Sequence, residues 1–268
     1  MSARVRDGAR RAASRRPPHP LVARGLGKRF GSLSALDTLD LSVRAGAVVG
    51  LVGPNGSGKT TALHVIAGLV RPDRGVVLVA GAPAGTLAAR NGLALVPDEP
   101  GGFEELTVRE YVALVHALYR AGAAARARAA RLVAAFGLSP RLDARLRSLS
   151  RGLRRQASVV AGFSLARPLV LLDEATATLD PEAVVVLREA VAALARGGSG
   201  VLLATQDLHF AETVCDEVVL LRRGGTVAAG TVGALLDRFQ SDSLETAFLA
   251  AVGEPALIER VRAGLGSL

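Results

Sequence analysis

The sequence predicts an α/β fold built on a mostly parallel sheet, and three observations predict it. Short β-branched apolar runs alternate with segments of helical spacing over most of the chain. One alternation encloses the stretch Gly-Pro-Asn-Gly-Ser-Gly-Lys-Thr at residues 53–60, at the end of an expected strand, where parallel sheets bind ligands. A block from 104 to 166 interrupts the alternation with helices alone.

The stretch at 53–60 fits G-x-x-x-x-G-K-[ST], a phosphate-binding loop. It lies between the apolar run Val48–Val52 and the helically spaced segment Thr61–Ala67, which is the strand–loop–helix setting the motif requires. Glycines at 53, 56 and 58 let the backbone wrap inward, so that its N–H groups and a helix N-terminus face an anion. Gly53, Pro54, Asn55, Gly56, Ser57, Gly58, Lys59, Thr60 and Thr61 are therefore the candidate nucleotide-phosphate site. Lys59 is placed to reach β- and γ-phosphates, and the Thr60 hydroxyl to hold Mg²⁺. Lysine occurs elsewhere only at position 28.

Composition bounds the rest. A chain of 268 residues, half of them hydrophobic, can bury a substantial core as one large domain with small appendages. Aromatics are scarce, so the core is aliphatic. The net charge of +9 permits contact with anionic lipid or nucleic acid without establishing either. A single cysteine, Cys215, excludes an internal disulfide and suits a reducing compartment. No apolar run reaches about 18 residues, so no transmembrane helix is expected, and any membrane part belongs to another chain. Residues 1–20 carry six arginines and then Pro17-Pro18-His19-Pro20, without the apolar segment of a secretory signal. They read as a disordered Arg-rich tail, or alternatively as an arm for a membrane surface or partner.

In chain order, 21–47 is β-rich, with partial alternation through Leu36, Leu39, Leu41 and Val43. Pro72–Gly75 is a turn, Val76–Val79 a strand, and Leu93–Val96 a strand stopped by Pro97. Thr107-Val-Arg-Glu110 is a capping box that opens a helix to about Tyr119. A second helix spans Arg126–Phe136, ended by Gly137. Arg141–Leu149 is short and basic, and Ser150 caps a helix to Ala166. Leu169–Leu172 is a buried strand ending in Asp173-Glu174. Asp180-Pro181 starts a helix to Arg196. Val201–Ala204 is the next buried strand, and Asp207 caps a short helix. Val218–Leu221 and Thr226–Ala229 form a hairpin, and the chain is helical from Val232.

A phosphate loop needs an acidic partner for Mg²⁺. The apolar run before Asp173 fits a Walker B strand, with Asp173 on the metal and Glu174 at the strand tip, placed to polarise an attacking water. Just upstream lies Leu149-Ser150-Arg151-Gly152-Leu153-Arg154-Arg155-Gln156. The order of phosphate loop, helical block, Leu-Ser-x-Gly and Walker B resembles the ATP-binding subunit of ABC transporters over about residues 21–252. The resemblance implies a P-loop NTPase fold, with a RecA-like core of mostly parallel sheet, an antiparallel β subdomain and an inserted α-helical subdomain. It implies an ATP-binding domain at 21–233, with helices at about 98–166, and a C-terminal helical extension at 234–268.

The resemblance also implies roles. Ser150 and Gly152 match a signature that contacts the γ-phosphate held by a second subunit, although Arg151 replaces its first glycine and Leu153 its glutamine. Phe30 stands where an aromatic stacks on adenine, with a core Phe as the alternative. Leu179-Asp180 resembles the loop that communicates across the dimer, and Asp180 equally serves as a helix cap. Ala175 stands where proline is frequent. Ser243–Leu249 resembles the ending of exporter subunits, or is an amphipathic helix closing the core.

Two positions depart from the pattern. Asp98 holds the place of a glutamine and is a candidate for Mg²⁺-bound water. Gln206 holds the place of a histidine, and it can donate a hydrogen bond to a γ-phosphate but carries no proton or charge. His209, one turn on, is the candidate substitute, with a surface histidine as its ordinary reading. The expected function is an ATPase subunit that binds ATP and Mg²⁺ in a homodimer or heterodimer. It drives export through a separate membrane permease from the cytoplasmic face of the membrane, with catalytic Lys59, Glu174 and Gln206. A hydrolysis-impaired partner in a heterodimer is the alternative carried by Asp98 and Gln206. A non-transport ATPase acting on ribosomes or DNA is the other, but the chain has neither a second such domain nor a long coiled coil, and no specific nucleic acid is expected.

Overall fold

A computed structural model describes residues 17–98, 101–174, 176–254 and 260. Most of the Arg-rich tail, Ala175, and 255–259 and 261–268 of the expected C-terminal extension lie outside the described residues. The strands are β1 (Leu21–Phe30), β2 (Leu33–Val43), β3 (Val48–Val52), β4 (Arg74–Val79), β5 (Ala82–Pro83), β6 (Leu93–Val96), β7 (Leu169–Asp173), β8 (Gly200–Thr205), β9 (Glu217–Arg222) and β10 (Gly225–Thr231). The helices are α1 (Lys59–Ile66), α2 (Leu87–Gly92), α3 (Val108–Leu118), α4 (Ala123–Ala135), α5 (Arg151–Ser164), α6 (Pro181–Arg196), α7 (Leu208–Val214), α8 (Val232–Phe239) and α9 (Leu244–Ala251).

All ten strands join one sheet in the order β5-β4-β1-β2-β10-β9-β3-β8-β7-β6. The five from β9 to β6 pair in parallel. The middles of these strands are apolar because both faces are covered, and polar residues stand at their ends, as at Asp173, Thr205, Glu217 and Arg222. Val49, Leu51, Leu169, Leu171, Leu202 and Ala204 pack on one face with Ala62, Leu63 and Ile66 of α1. Val48, Val170, Leu172, Val201 and Leu203 alternate to the other face, against Val159, Val160 and Phe163 of α5 and Leu187 and Val191 of α6. The other half of the sheet is antiparallel, β5-β4-β1-β2, and β10 joins the halves by pairing with β9 and touching β2 at Gly225 and Thr38.

Several boundaries differ from the sequence reading. Helix α1 begins at Lys59, inside the motif, because the loop itself turns into the helix. Helix α4 begins at Ala123, where three alanines extend it. The turn expected at 72–75 gives way to strand from Arg74, with Gly75 at φ +90°. Arg141–Leu149 contains a 3₁₀ turn at Leu146–Ser148, preceded by another at Ser139–Arg141. The terminal helix is broken at Gln240, whose φ is +48°, into α8 and α9. Helix α2 escaped the sequence reading, although Thr86 caps it by accepting from the Ala89 N–H.

Candidate active site

Four neighbouring parallel strands deliver the site. Val52↔Thr205, Ala204↔Asp173 and Leu172↔Val96 are ladder partners, so β3, β8, β7 and β6 end side by side. Past those ends come the glycine loop, Gln206, Glu174 and Asp98. Residues far apart in sequence meet because their strands are adjacent.

The loop is shaped by fit. Gly58 has φ +108°, and a Cβ there would lie 2.4 Å from the Ala35 carbonyl oxygen, so only glycine is accommodated. No side chain caps α1, which leaves its first-turn N–H groups to an anion. The Ser57 hydroxyl is buried and has no partner among the described residues, so the loop contains a polar atom that a bound phosphate oxygen would satisfy. Lys59 is buried and folds back over the loop. Its Nζ donates to Gly53 O at 2.8 Å and Pro54 O at 3.2 Å and lies 3.3 Å from Glu174 Oε1.

Thr60 Oγ1 donates to Asp173 Oδ1 at 3.3 Å. Burial pushes the Asp173 carboxyl up, and the Thr60 hydrogen bond pulls it part of the way back. A hydroxyl beside a single carboxylate fits Mg²⁺, which takes few protein ligands and fills its octahedron with waters and phosphates. Glu174 adopts φ +44°, a left-handed conformation uncommon for a non-glycine residue, and this places its carboxylate beside Lys59.

Asp98 and Gln206 are exposed and line one cavity of about 400 Å³ with Asn55, Arg151, Arg154 and Thr178. His209 is exposed and is not among the lining residues, which agrees with its ordinary surface reading. The Gln206 loop is anchored by Asp207, which accepts from the Phe210 N–H at 2.9 Å and from Thr176 Oγ1 at 2.9 Å.

Ser150 accepts from the Leu153 N–H at 3.2 Å and so caps α5. A Cβ on Gly152 would stand 2.5 Å from the Thr178 carbonyl oxygen, so glycine lets α5 close on the loop before α6. Asp180 accepts from the Ala183 N–H at 2.8 Å, which makes it the cap of α6. Phe30 is 49% exposed, and Lys28 Nζ sits 5.3 Å from its ring centroid, so the core alternative for this residue does not hold. Leu244 is buried, its N–H donates to Glu212 Oε2 of α7 at 2.8 Å, and Arg222 Nη1 donates to Val252 O, so α9 closes a small core over β9 and β10.

Arg155 escaped the sequence reading. The residue is 1% exposed, and its side chain is the largest fully buried one among the described residues. The sequence signal is an arginine two residues before the mostly apolar segment 157–163. Burial pulls the guanidinium below the ordinary arginine range, while Asp98, Asp173 and Glu174 push it back up.

Residues 36–177 match the family model described as ABC transporter. The chain belongs to the ABC transporter family. It is 35% identical over 231 residues to the daunorubicin/doxorubicin resistance ATP-binding protein DrrA of Streptomyces peucetius, covering 85% of this chain and 70% of that protein. It is 33% identical over 221 residues to the Nod factor export ATP-binding protein I of Burkholderia orbicola, covering 81% and 73%. A solved ATP-binding subunit of an ABC transporter superposes with a TM-score of 0.81 at 30% identity, covering 87% of this chain and 99% of that one. The chain is thus an ATP-binding subunit of the family, an ATPase coupled to transport, with the P-loop NTPase fold expected. Among the described residues no helix is long and apolar enough to cross a membrane. A structure of similar fold, cbiO1 from Clostridium perfringens, superposes with a TM-score of 0.66 at 19% identity and is described as part of the ABC transporter complex cbiONQ.

Proposed function

We propose that this chain powers export through a separate membrane permease, docked at the cytoplasmic face, by hydrolysing ATP between two ATP-binding subunits. The observation that carries the chemistry is the convergence of Lys59, Thr60, Asp173 and Glu174, with the pairs Thr60–Asp173 and Lys59–Glu174 each at 3.3 Å. The loop N–H groups, Ser57 and Lys59 bind and orient the β- and γ-phosphates. Thr60 and Asp173 would hold Mg²⁺, with Asp98 a candidate for its bound water. An ion held there would supply charge neutralisation for the phosphates during in-line attack. Glu174 takes a proton from the attacking water. Before it does so, Lys59 leaves its contact with Glu174 for the phosphates. Gln206 donates its amide N–H to the γ-phosphate. Phe30 offers an open ring face to adenine. Ser150 and Gly152, at the N-terminus of α5, contact the nucleotide of the other subunit.

Export is supported by the Ser243–Leu249 ending and by the relatives, which are a drug-resistance and a Nod factor export ATP-binding protein. A second reading, a slow subunit paired with an active one, is favoured by Asp98 and Gln206 lining the same cavity. The dimer is tested with purified Glu174→Gln. Size-exclusion chromatography in Mg²⁺-ATP should show a dimer that reverts to monomer when nucleotide is removed. A variant that binds ATP but remains monomeric contradicts the two-subunit site for this chain alone and moves it to a heterodimer.

A further inference from the structure

We propose that Arg155 is a positioning residue for hydrolysis, holding the Asp98 loop and the Glu174 loop in one fixed relation. Strands β6 and β7 are paired as far as Val96↔Leu172. The residue after β6 is Pro97, which has no N–H to continue a ladder. Arg155 takes over where that ladder stops. Its Nη1 donates to Pro97 O and to Asp98 O, the latter at 3.2 Å. Its Nη2 donates to Asp173 O and to Glu174 O, the latter at 3.1 Å. One planar fork thus satisfies four carbonyls on two loops, and one of them belongs to the left-handed Glu174.

Arginine is required for this geometry. Each terminal nitrogen of the guanidinium serves one loop, whereas a lysine ammonium is a single point that cannot span both. The buried cation also faces the carboxylates of Asp98, Asp173 and Glu174, which offset its charge. Arg155 sits in the second turn of α5, which Ser150 caps and whose first turn carries Gly152. A shift of α5 therefore carries both loops with it.

This inference rests on Glu174 acting on the attacking water, which loss of turnover in Glu174→Gln tests separately. The experiment is steady-state ATPase kinetics of purified Arg155→Lys beside its thermal melt. The expected result is a folded protein with an ATP KM close to that of the parent and a kcat lower by about a hundredfold, the penalty of a reacting group displaced by about 1 Å. An unchanged kcat in the folded variant overturns the proposal. So does a loss of activity that only tracks the fraction unfolded. Should the lysine variant not fold, hydrogen exchange on the unaltered chain decides. On addition of Mg²⁺-ATP, peptides spanning Val96–Asp98 and Leu172–Glu174 should change protection together. A change in one without the other contradicts a shared clamp.

Discussion

In the proposed mechanism Lys59 is the side chain on which the chemistry turns, and its surroundings explain how a buried ammonium is tolerated. Two loop carbonyls and the Glu174 carboxylate surround it, so the charge is hydrogen-bonded and paired. Phosphate oxygens can replace those partners at little net cost, because the loop N–H groups and Ser57 are positioned in the same place. Gly152 is the residue whose substitution reads most directly. Gly152→Ala forces its Cβ against the Thr178 carbonyl, which is backbone and cannot swing away. The expected cost is about 1–3 kcal/mol of stability, typical of overpacking, together with reduced ATPase activity. Thermal melting and steady-state turnover check this, and an alanine variant with the parent's melt and rate contradicts the contact. The glycine loop was legible because phosphate binding dictates residue types at fixed spacing. Arg155 was not, because its partners are backbone carbonyls, which leave no trace in the identity of the residues that bear them.

At the scale of elements, the helical block is held together partly by a polar contact in its core. His116 of α3 and Ser164 of α5 are buried, with Nε2 and Oγ at 2.8 Å. Ser164 Oγ donates to Ala161 O, so the histidine Nε2–H donates to the serine. Burial first, and then the charges of Arg126 and Arg128, push the imidazole below its ordinary value. The unfolded chain then binds a proton near pH 6.5 that the folded chain refuses. Stability from this group is complete above about pH 6.5 and is lost as pH falls from there towards the lower folded value. Melting temperature should therefore drop as pH falls below about 6.5, and His116→Gln should flatten that slope. A slope unchanged in the variant assigns the acid loss to other groups. The capped helices α3, α5 and α6 were readable in sequence, since Thr107, Ser150 and Asp180 each announce a start. Helix α2 was missed because six residues give too short a span for periodicity to show, although Thr86 carried the capping signal.

At the scale of the molecule, the site depends on strand order, and strand order is the feature that sequence conveys least. Local patterning shows that β3, β6, β7 and β8 exist but not that they are neighbours. Only the sheet order β3-β8-β7-β6 brings Gln206, Glu174 and Asp98 beside the glycine loop. The continuity of the antiparallel half with the parallel half, through β10, was likewise beyond reach, since it rests on a single ladder pair, Gly225 with Thr38. The central claim concerns the whole assembly of these strand ends, namely that the carboxylate at 174 drives turnover while glutamine at 206 suffices in place of histidine. The measurement is steady-state Mg²⁺-ATPase activity of the purified chain beside Glu174→Gln and Gln206→His. The account predicts that the parent turns over, that Glu174→Gln loses about 10²–10⁴-fold in rate, and that Gln206→His changes little. A parent that binds ATP without turnover, and that gains activity with Gln206→His, would contradict it and establish a subunit that fires only beside an active partner.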